Sequence, residues 1–396
     1  MARRIGLFGL FGAGNAGNDG SLEAVLSFLR EARPDAEITC ICANSEKVEK
    51  QLGVRSIRIG GGTATGPITR ALSAFPPMRK ILQAVFAFRA VRDFDVIIIP
   101  GTGILDDFAD RWWGMPASLF VWSLAAKVRG TKVAFVSVGA GPIGHPLSRW
   151  LMRSAARIAD YRSYRDQISK DFMASIGLRA DDPVYPDVAF RLAQPQNLQT
   201  PAEPGPLTVG VGVMAYFGWR GDGEDGAAIY RDYLEKMSQF VLWLLDGGHR
   251  ARLLMGETSD ERAIGDFLQL LASKRPDHPR ESVTAEPAYS LHEVMREIAK
   301  TDIVVATRFH NVVCALKLAR PTASIGYAAK NDALMDDMGL GEFCQHAEHL
   351  DVDHLIKQFS KLQLNRTALE AKLQERNVVY RDRLAHQEQV LLEKFL

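Results

Sequence analysis

The chain has 396 residues, 47% of them hydrophobic and 24% charged, which is enough for two domains of ordinary size. Its 48 Lys and Arg stand against 47 Asp and Glu, a formal net charge of +1, and this excludes the strongly basic type of nucleic-acid-binding protein. No apolar run is long enough to span a bilayer, and Met1-Ala2-Arg3-Arg4 has no signal-peptide pattern behind it, so a soluble, intracellular, cytoplasmic protein is expected.

Residues 4–190 alternate between short apolar runs rich in β-branched residues and helical patterns. Ile5–Phe11, Ile38–Ala43, Val54–Ile59, Val96–Pro100 and Val133–Gly139 read as strands buried on both faces. Ser21–Arg33, Met78–Val91 and Pro116–Arg129 read as the helices between them. A polar, proline-rich stretch from Gln194 to Pro206 breaks the alternation and reads as a linker. A second alternation follows, with strands at Leu207–Met214, Ala251–Met255, Ile303–Thr307 and Thr322–Tyr327. Its helices are Ala227–Leu245, Ser259–Lys274 with Ser259 as N-cap, Ser290–Lys300 and Phe309–Arg320. From Asp353 to Leu396 the chain reads as helical throughout. The expected fold class is therefore α/β: two doubly wound Rossmann-like domains facing a cleft, with a helical C-terminal tail. The boundaries are 1–192, a linker at 193–206, 207–350, and C-terminal helices over 351–396. Cys40, Cys42, Cys314 and Cys344 form no CxxC pair and no histidine cluster has metal-ligand spacing, so reduced core cysteines and no metal site are expected.

In doubly wound sheets ligands bind at the carboxyl ends of strands, so chemistry is sought at the strand-to-helix junctions. At the first, Gly12, Gly14 and Gly17 match GxGxxG, but the acid that holds a dinucleotide ribose is missing after Ala43. Gly14, Asn15, Asn18 and Asp19 can instead cradle a phosphate or sugar hydroxyls, or the stretch is a turn with Asp19 as N-cap. At the second, Gly101-Thr102-Gly103 precedes Asp106 and Asp107, which either accept a proton from a sugar hydroxyl or cap a helix. The third, Gly139–Gly144, leads to Arg149, Arg153 and Arg157 at i, i+4, i+8, a solvated row or a contact with an anionic membrane face. At the fourth, Arg165 can fork a carboxylate or phosphate or pair with Asp166. The fifth is Arg308-Phe309-His310 after the apolar strand Ile303–Thr307. Its arginine and helix N-terminus favour an anion, and His310 is the chain's best group for proton transfer near neutral pH. The sixth, Ile325 to Lys330, adjoins the fifth and offers Lys330 as a second cation. Trp112-Trp113 reads as core or cleft packing, with sugar stacking or lipid contact as the alternative.

In order and spacing these junctions resemble the polysaccharide pyruvyl transferase family. Asn15-Ala16-Gly17-Asn18-Asp19 resembles its Asn-x-Gly-Asp opening with Asn18 inserted. Gly101 to Asp106 or Asp107, Gly139 to Pro142, Arg165-Asp166, Asp187-Val188-Ala189-Phe190, Arg308-Phe309-His310 and Tyr327-Ala328-Ala329-Lys330 are similar to its further elements, with Ala328-Ala329 in place of Asp-Pro and Thr102 where glycine is common. The resemblance implies a GT-B-like fold and a transferase of polysaccharide, exopolysaccharide or cell-envelope biosynthesis. Such an enzyme moves pyruvate from phosphoenolpyruvate onto a sugar diol as a cyclic ketal. It implies His310, Arg308 and Asp106 as catalytic residues. Arg165, Arg308, His310, Lys330 and Tyr327 then bind the donor, and Gly14, Asn15, Asn18, Asp19, Gly103 and Asp107 the acceptor. Phosphoenolpyruvate is a co-substrate and no cofactor is implied. A lipid-linked glycan at the inner membrane face would suit this class as acceptor, with peripheral membrane contact; the oligomeric state is open. Two other readings stand beside it: a GT-B glycosyltransferase using a nucleotide-sugar, and a non-catalytic sugar- or phosphate-binding protein.

Overall fold

The structure, a computed structural model, describes residues 2–61, 76–108, 110–195, 206–218, 224–277 and 280–396; residues 196–205, most of the expected linker, lie outside them. The chain forms two compact units. The first comprises Met1–Ala13, Ser21–Val188 and Arg383–Leu396, the second Gly14–Gly20 and Ala189–Asp382.

The first unit is built on β1 (Arg4–Phe8), β2 (Glu37–Cys42), β3 (Arg55–Arg58), β4 (Val96–Pro100), β5 (Lys132–Val138) and β6 (Tyr161–Tyr164), all parallel, in the order β3-β2-β1-β4-β5-β6. The central strands are apolar because both faces are covered: every residue of β4 is buried, and so are Cys40 and Cys42 on β2. The helices Pro76–Ala90, Met115–Arg129 and Pro146–Ile158 pack side by side in a row. The end of the last helix, Arg366–Phe395, joins this unit, where the Gln387 amide accepts from Ser137 Oγ at 3.0 Å and donates to Ser163 Oγ at 2.8 Å.

The second unit repeats the design with β7 (Thr208–Gly212), β8 (Arg250–Leu254), β9 (Val283–Ala285), β10 (Ile303–Ala306), β11 (Thr322–Gly326) and β12 (Cys344–His346), in the order β12-β11-β10-β7-β8-β9. Strand order reverses between β1 and β4 in one sheet and between β10 and β7 in the other, where Ala306 pairs with Gly212. Such switch points open a crevice at the carboxyl edge, and they place Asp106 after β4 and Arg308 after β10.

Two elements depart from the sequence expectation. The helix after β1 runs from Ala16 to Ala32, ahead of the expected start at Ser21. Its N-cap is Asn15, whose side-chain oxygen accepts from the Asn18 N–H at 3.1 Å, so Asp19 stands within the first turn instead of capping. Gly17 and Gly20 made this turn read as a loop by propensity, and packing overrides them. Ser259 precedes the helix Asp260–Lys274 without making a side-chain cap, because its backbone is already helical (φ −62°, ψ −20°) where a cap residue is extended; its hydroxyl accepts from Arg308 at 3.2 Å instead.

The helix Phe309–Lys317 ends on a buried lysine whose Nζ donates to the Phe190 carbonyl at 2.5 Å. Burial pushes the Lys317 ammonium down to about 8 from its ordinary 10.5. The unfolded chain then binds more protons between those values, so stability should rise with pH across that window, by about 3 kcal/mol at most. Urea unfolding of the parent and of Lys317→Met at either end of the window checks this: the parent should gain on the variant as pH rises, and parallel profiles would refute it.

Candidate functional site

In the second unit β10 delivers Thr307 and Arg308 to the switch point. Tyr233, fully buried, fixes the strand end by a 2.7 Å hydrogen bond between its hydroxyl and Thr307 Oγ1. The Arg308 guanidinium is enclosed. Nε donates to both Asp260 oxygens at 3.2 and 3.0 Å and Nη2 to Asp260 Oδ1 at 2.6 Å. Nη1 pairs with Glu257 Oε2 at 2.6 Å. Asp260 is 0% exposed and also accepts the N–H groups of Gly256 at 3.0 Å, Glu257 at 3.1 Å and Ala215 at 3.3 Å. Burial opposes the charge on Arg308, but Asp260, with Glu257 and Tyr327 behind it, raises its pKa above the ordinary value. Asp260 is a permanent partner, whereas the Glu257 side chain is 31% exposed and holds Arg308 by one terminal nitrogen.

The glycine-rich loop after β1 belongs to this site. Asn15 and Glu257 form an isolated antiparallel bridge, the Gly14 carbonyl accepts from Thr258 N–H at 3.1 Å and Oγ1 at 3.2 Å, and Ala16 N–H donates to the Gly256 carbonyl at 3.3 Å. Gly14 has φ +96°, a conformation open to glycine. At Gly17 the requirement is space. A Cβ there would lie 1.9 Å from His310 Nδ1, so the imidazole rests directly on the first turn of the helix Ala16–Ala32. Phe309 meets the same ring edge-on, at 5.2 Å between centroids. Beside β11, the Lys330 ammonium sits 5.0 Å over the Tyr327 ring. That ring lies 5.7 Å from Tyr216, which donates to Glu348 at 2.5 Å.

In the first unit Arg165 follows β6 with its side chain 3% exposed, between Asp187 at 3.2 Å and Asp166 at 3.6 Å. Asp166 also caps the helix Gln167–Ser175 by accepting from Ser169 N–H at 2.6 Å. Glycines make room for this arginine: a Cβ on Gly139 would fall 2.6 Å from its Nη2, and one on Gly103 would fall 3.0 Å from Asp106 Oδ2 and 3.8 Å from Arg165 Nη2. Gly103, Asp106 and Arg165 therefore converge. Asp107 turns elsewhere and accepts the N–H groups of Gly144 and His145 at 2.9 Å each. Trp112 and Trp113 are not core residues: they are 37% and 42% exposed in the turn before the helix Met115–Arg129.

The predicted residues Gly14, Asn15, Asn18, Asp19, Arg308, His310, Tyr327 and Lys330 thus belong to the second unit and Gly103, Asp106, Asp107 and Arg165 to the first, where Asp107 stands apart from the group of Gly103, Asp106 and Arg165. Sequence reasoning missed Glu257 and Asp260. The signal was present, since Gly256 to Asp260 is the junction after β8 and the carboxyl-edge rule covers it as well as the six considered. Among the described residues no helix is long and apolar enough to cross a membrane, and no group of three His, Cys, Asp or Glu side chains is placed to hold a metal ion.

Residues 15–328 match the sequence profile of a family described as polysaccharide pyruvyl transferase. No curated protein matches the chain. Among solved structures, UDP-GlcNAc 2-epimerase from Neisseria meningitidis, bound to UDP-GlcNAc, is similar with a TM-score of 0.61 at 11% identity, over 99% of this chain and 98% of that one. The UDP-GlcNAc 2-epimerase of Methanocaldococcus jannaschii gives 0.60 at 11% identity, covering 91% and 92%. A lipopolysaccharide outer core galactosyltransferase, WaaB, gives 0.57 at 11% identity, covering 97% and 98%. At such identities the likeness is one of fold, that of two Rossmann-like domains of the GT-B kind.

Proposed function

Since the chain belongs to the polysaccharide pyruvyl transferase family, a transferase of polysaccharide biosynthesis, we propose that it moves pyruvate from phosphoenolpyruvate onto a glycan diol as a cyclic ketal. The observation that carries this reading is His310 seated on Gly17 at the N-terminus of the helix Phe309–Lys317, two residues from Arg308. The donor brings a carboxylate and a phosphate. A helix N-terminus attracts such groups, and Arg308 offers its Nη1 as a charged donor beside it, the Asp260 pairing holding the rest of the guanidinium. In this scheme a donor anion displaces Glu257 from Arg308 Nη1 while Asp260 keeps the guanidinium in place. Lys330, stacked on Tyr327, neutralises the second anionic group.

The reaction adds a proton to the methylene carbon of the donor, giving a methyl group and an oxocarbenium-like centre at the neighbouring carbon. One sugar hydroxyl adds there and phosphate leaves; the second hydroxyl closes the ring. One hydroxyl proton ends on the methyl group and the other on phosphate, so the balance closes with no change of oxidation state and no redox cofactor. His310 is the proton carrier. Asn15, Asn18 and Asp19, on the same stretch as Gly17, offer hydroxyl partners. A lipid-linked glycan is the acceptor class, used at the cytoplasmic face of the membrane.

A ligand that binds only the folded protein stabilises it by about 2.7 kcal/mol at a hundred times its dissociation constant. Phosphoenolpyruvate should therefore raise the melting temperature by several degrees, and phosphate should be released once a glycan diol is added. Protection by a nucleoside diphosphate with none from phosphoenolpyruvate would replace this reading with a nucleotide-sugar glycosyltransferase. Donor binding without phosphate release against every glycan would leave a binding protein.

A further inference from the structure

The row of helices on the first unit carries an exposed surface that the chemistry above does not use. In the helix Pro146–Ile158, Leu147 and Trp150 point outward, Trp150 with 55% of its surface exposed. Phe120 from the neighbouring helix Met115–Arg129 lies against Trp150 at 5.3 Å between centroids. Trp112 and Trp113 are exposed just ahead of that helix, in a T-shaped pair at 5.3 Å with Arg111 over the Trp113 ring at 5.2 Å. The third helix of the row, Pro76–Ala90, adds Ile81, 55% exposed, and Val85. Apolar side chains grouped in this way on the outside of a packed layer mark an interaction surface.

Charge says what it meets. The chain as a whole is balanced, yet the segments 76–92, 111–129 and 141–159 together contain ten arginines and lysines and not one aspartate or glutamate. At the starts of these helices the acids are tied to backbone: Asp107 holds the N–H groups of Gly144 and His145, and Asp110 those of Arg111 at 2.7 Å and Met115 at 2.9 Å, while Asp93 and Asp160 follow the far, C-terminal ends of their helices. Tryptophans and leucines flanked by arginines, with no carboxylates among them, are what the interface of an anionic bilayer accepts: rings at the headgroup level, cations at the phosphates. The parallel topology puts the start of each helix at the carboxyl edge of the sheet, so Trp112, Trp113, Leu147 and Trp150 share that edge with Asp106.

We propose that this helix row is a membrane-docking surface which seats the first unit on an anionic phospholipid bilayer, with the aromatic and leucine side chains at the headgroup boundary and the arginines on lipid phosphates. It does not depend on the identity of the donor.

The test is co-sedimentation of the full chain with phosphatidylcholine vesicles, with and without phosphatidylglycerol, at low and high salt. Binding should appear with phosphatidylglycerol only and weaken at high salt. Trp150→Ser should weaken it roughly tenfold, and Arg79→Gln about fivefold, with melting temperatures unchanged because both side chains are exposed. The proposal is overturned if the protein stays in solution with both vesicle types, or binds them equally and regardless of substitution. It is also overturned if Trp150→Ser dissolves a self-association while no vesicle binding exists, which would make the surface an interface between copies.

Discussion

Replacement of His310 by alanine should lower turnover about 10²–10⁴-fold, the usual worth of a positioned acid–base group, while donor binding stays within a fewfold. The ring contributes little to the core, being only partly buried, whereas Arg308 and Lys330 supply the charge that binds. Turnover is read by phosphate release and donor affinity by thermal shift. A variant with full turnover would remove His310 from the chemistry, and one with intact turnover but ruined affinity would make it a phosphate ligand. Gly17→Ala supplies the companion measurement. Alanine favours a helix over glycine by about 1 kcal/mol, so stability should not fall through propensity. Its methyl group nevertheless lands 1.9 Å from His310 Nδ1 and must push the ring aside. Turnover should drop towards that of the histidine variant, and the double variant should be no worse than either single one, because both remove the same function.

Asp260→Ala should lower the stability of the second unit by about 3–5 kcal/mol, the cost of leaving a buried ion without its partner. Arg308 would keep Glu257 as its one charged partner in this cluster, beside the Ser259 hydroxyl, and the N–H groups of Gly256, Glu257 and Ala215 would lose their acceptor. A unit of this size loses roughly 2–4 °C per kcal/mol, so the melting temperature should fall by about 10 °C. Adding Arg308→Met should return part of the loss, since two apolar side chains cost less than one stranded charge, but not all of it, because the backbone donors remain unmet. A melting temperature unchanged in Asp260→Ala would mean that water or Glu257 satisfies Arg308, and that the enclosure has little energetic weight.

Much of the fold was legible because buried parallel strands are short apolar runs, as in Val96–Pro100 and Ile303–Ala306. The same logic marked Arg308 and His310, which emerge at the end of such a run. What could not be read depends on distance along the chain. Asp260 meets Arg308 across 48 residues, and no local pattern pairs them. Gly17 looked like one glycine of a turn, and its purpose is visible only when the imidazole lies on it. The helix start at Ala16 was hidden for the same reason: local propensity spoke for a loop, and the hydrogen bonds from Ala16 N–H to the Gly256 carbonyl and from Thr258 N–H to the Gly14 carbonyl decided otherwise. The strands β9 and β12, three residues each at the sheet edges, are too short to leave a periodic signal.

Each unit also carries its own pair of thiols. Cys40 and Cys42 are fully buried on β2, while Cys314 is buried and Cys344 partly buried in the second unit, and none is in a disulfide. For Cys344, burial and the neighbouring Asp332 push the thiol up to about 12, which keeps it in the unreactive protonated form. Native protein is therefore nearly silent to alkylating reagents, and the identity of the first cysteine to react reports which of the two units has opened.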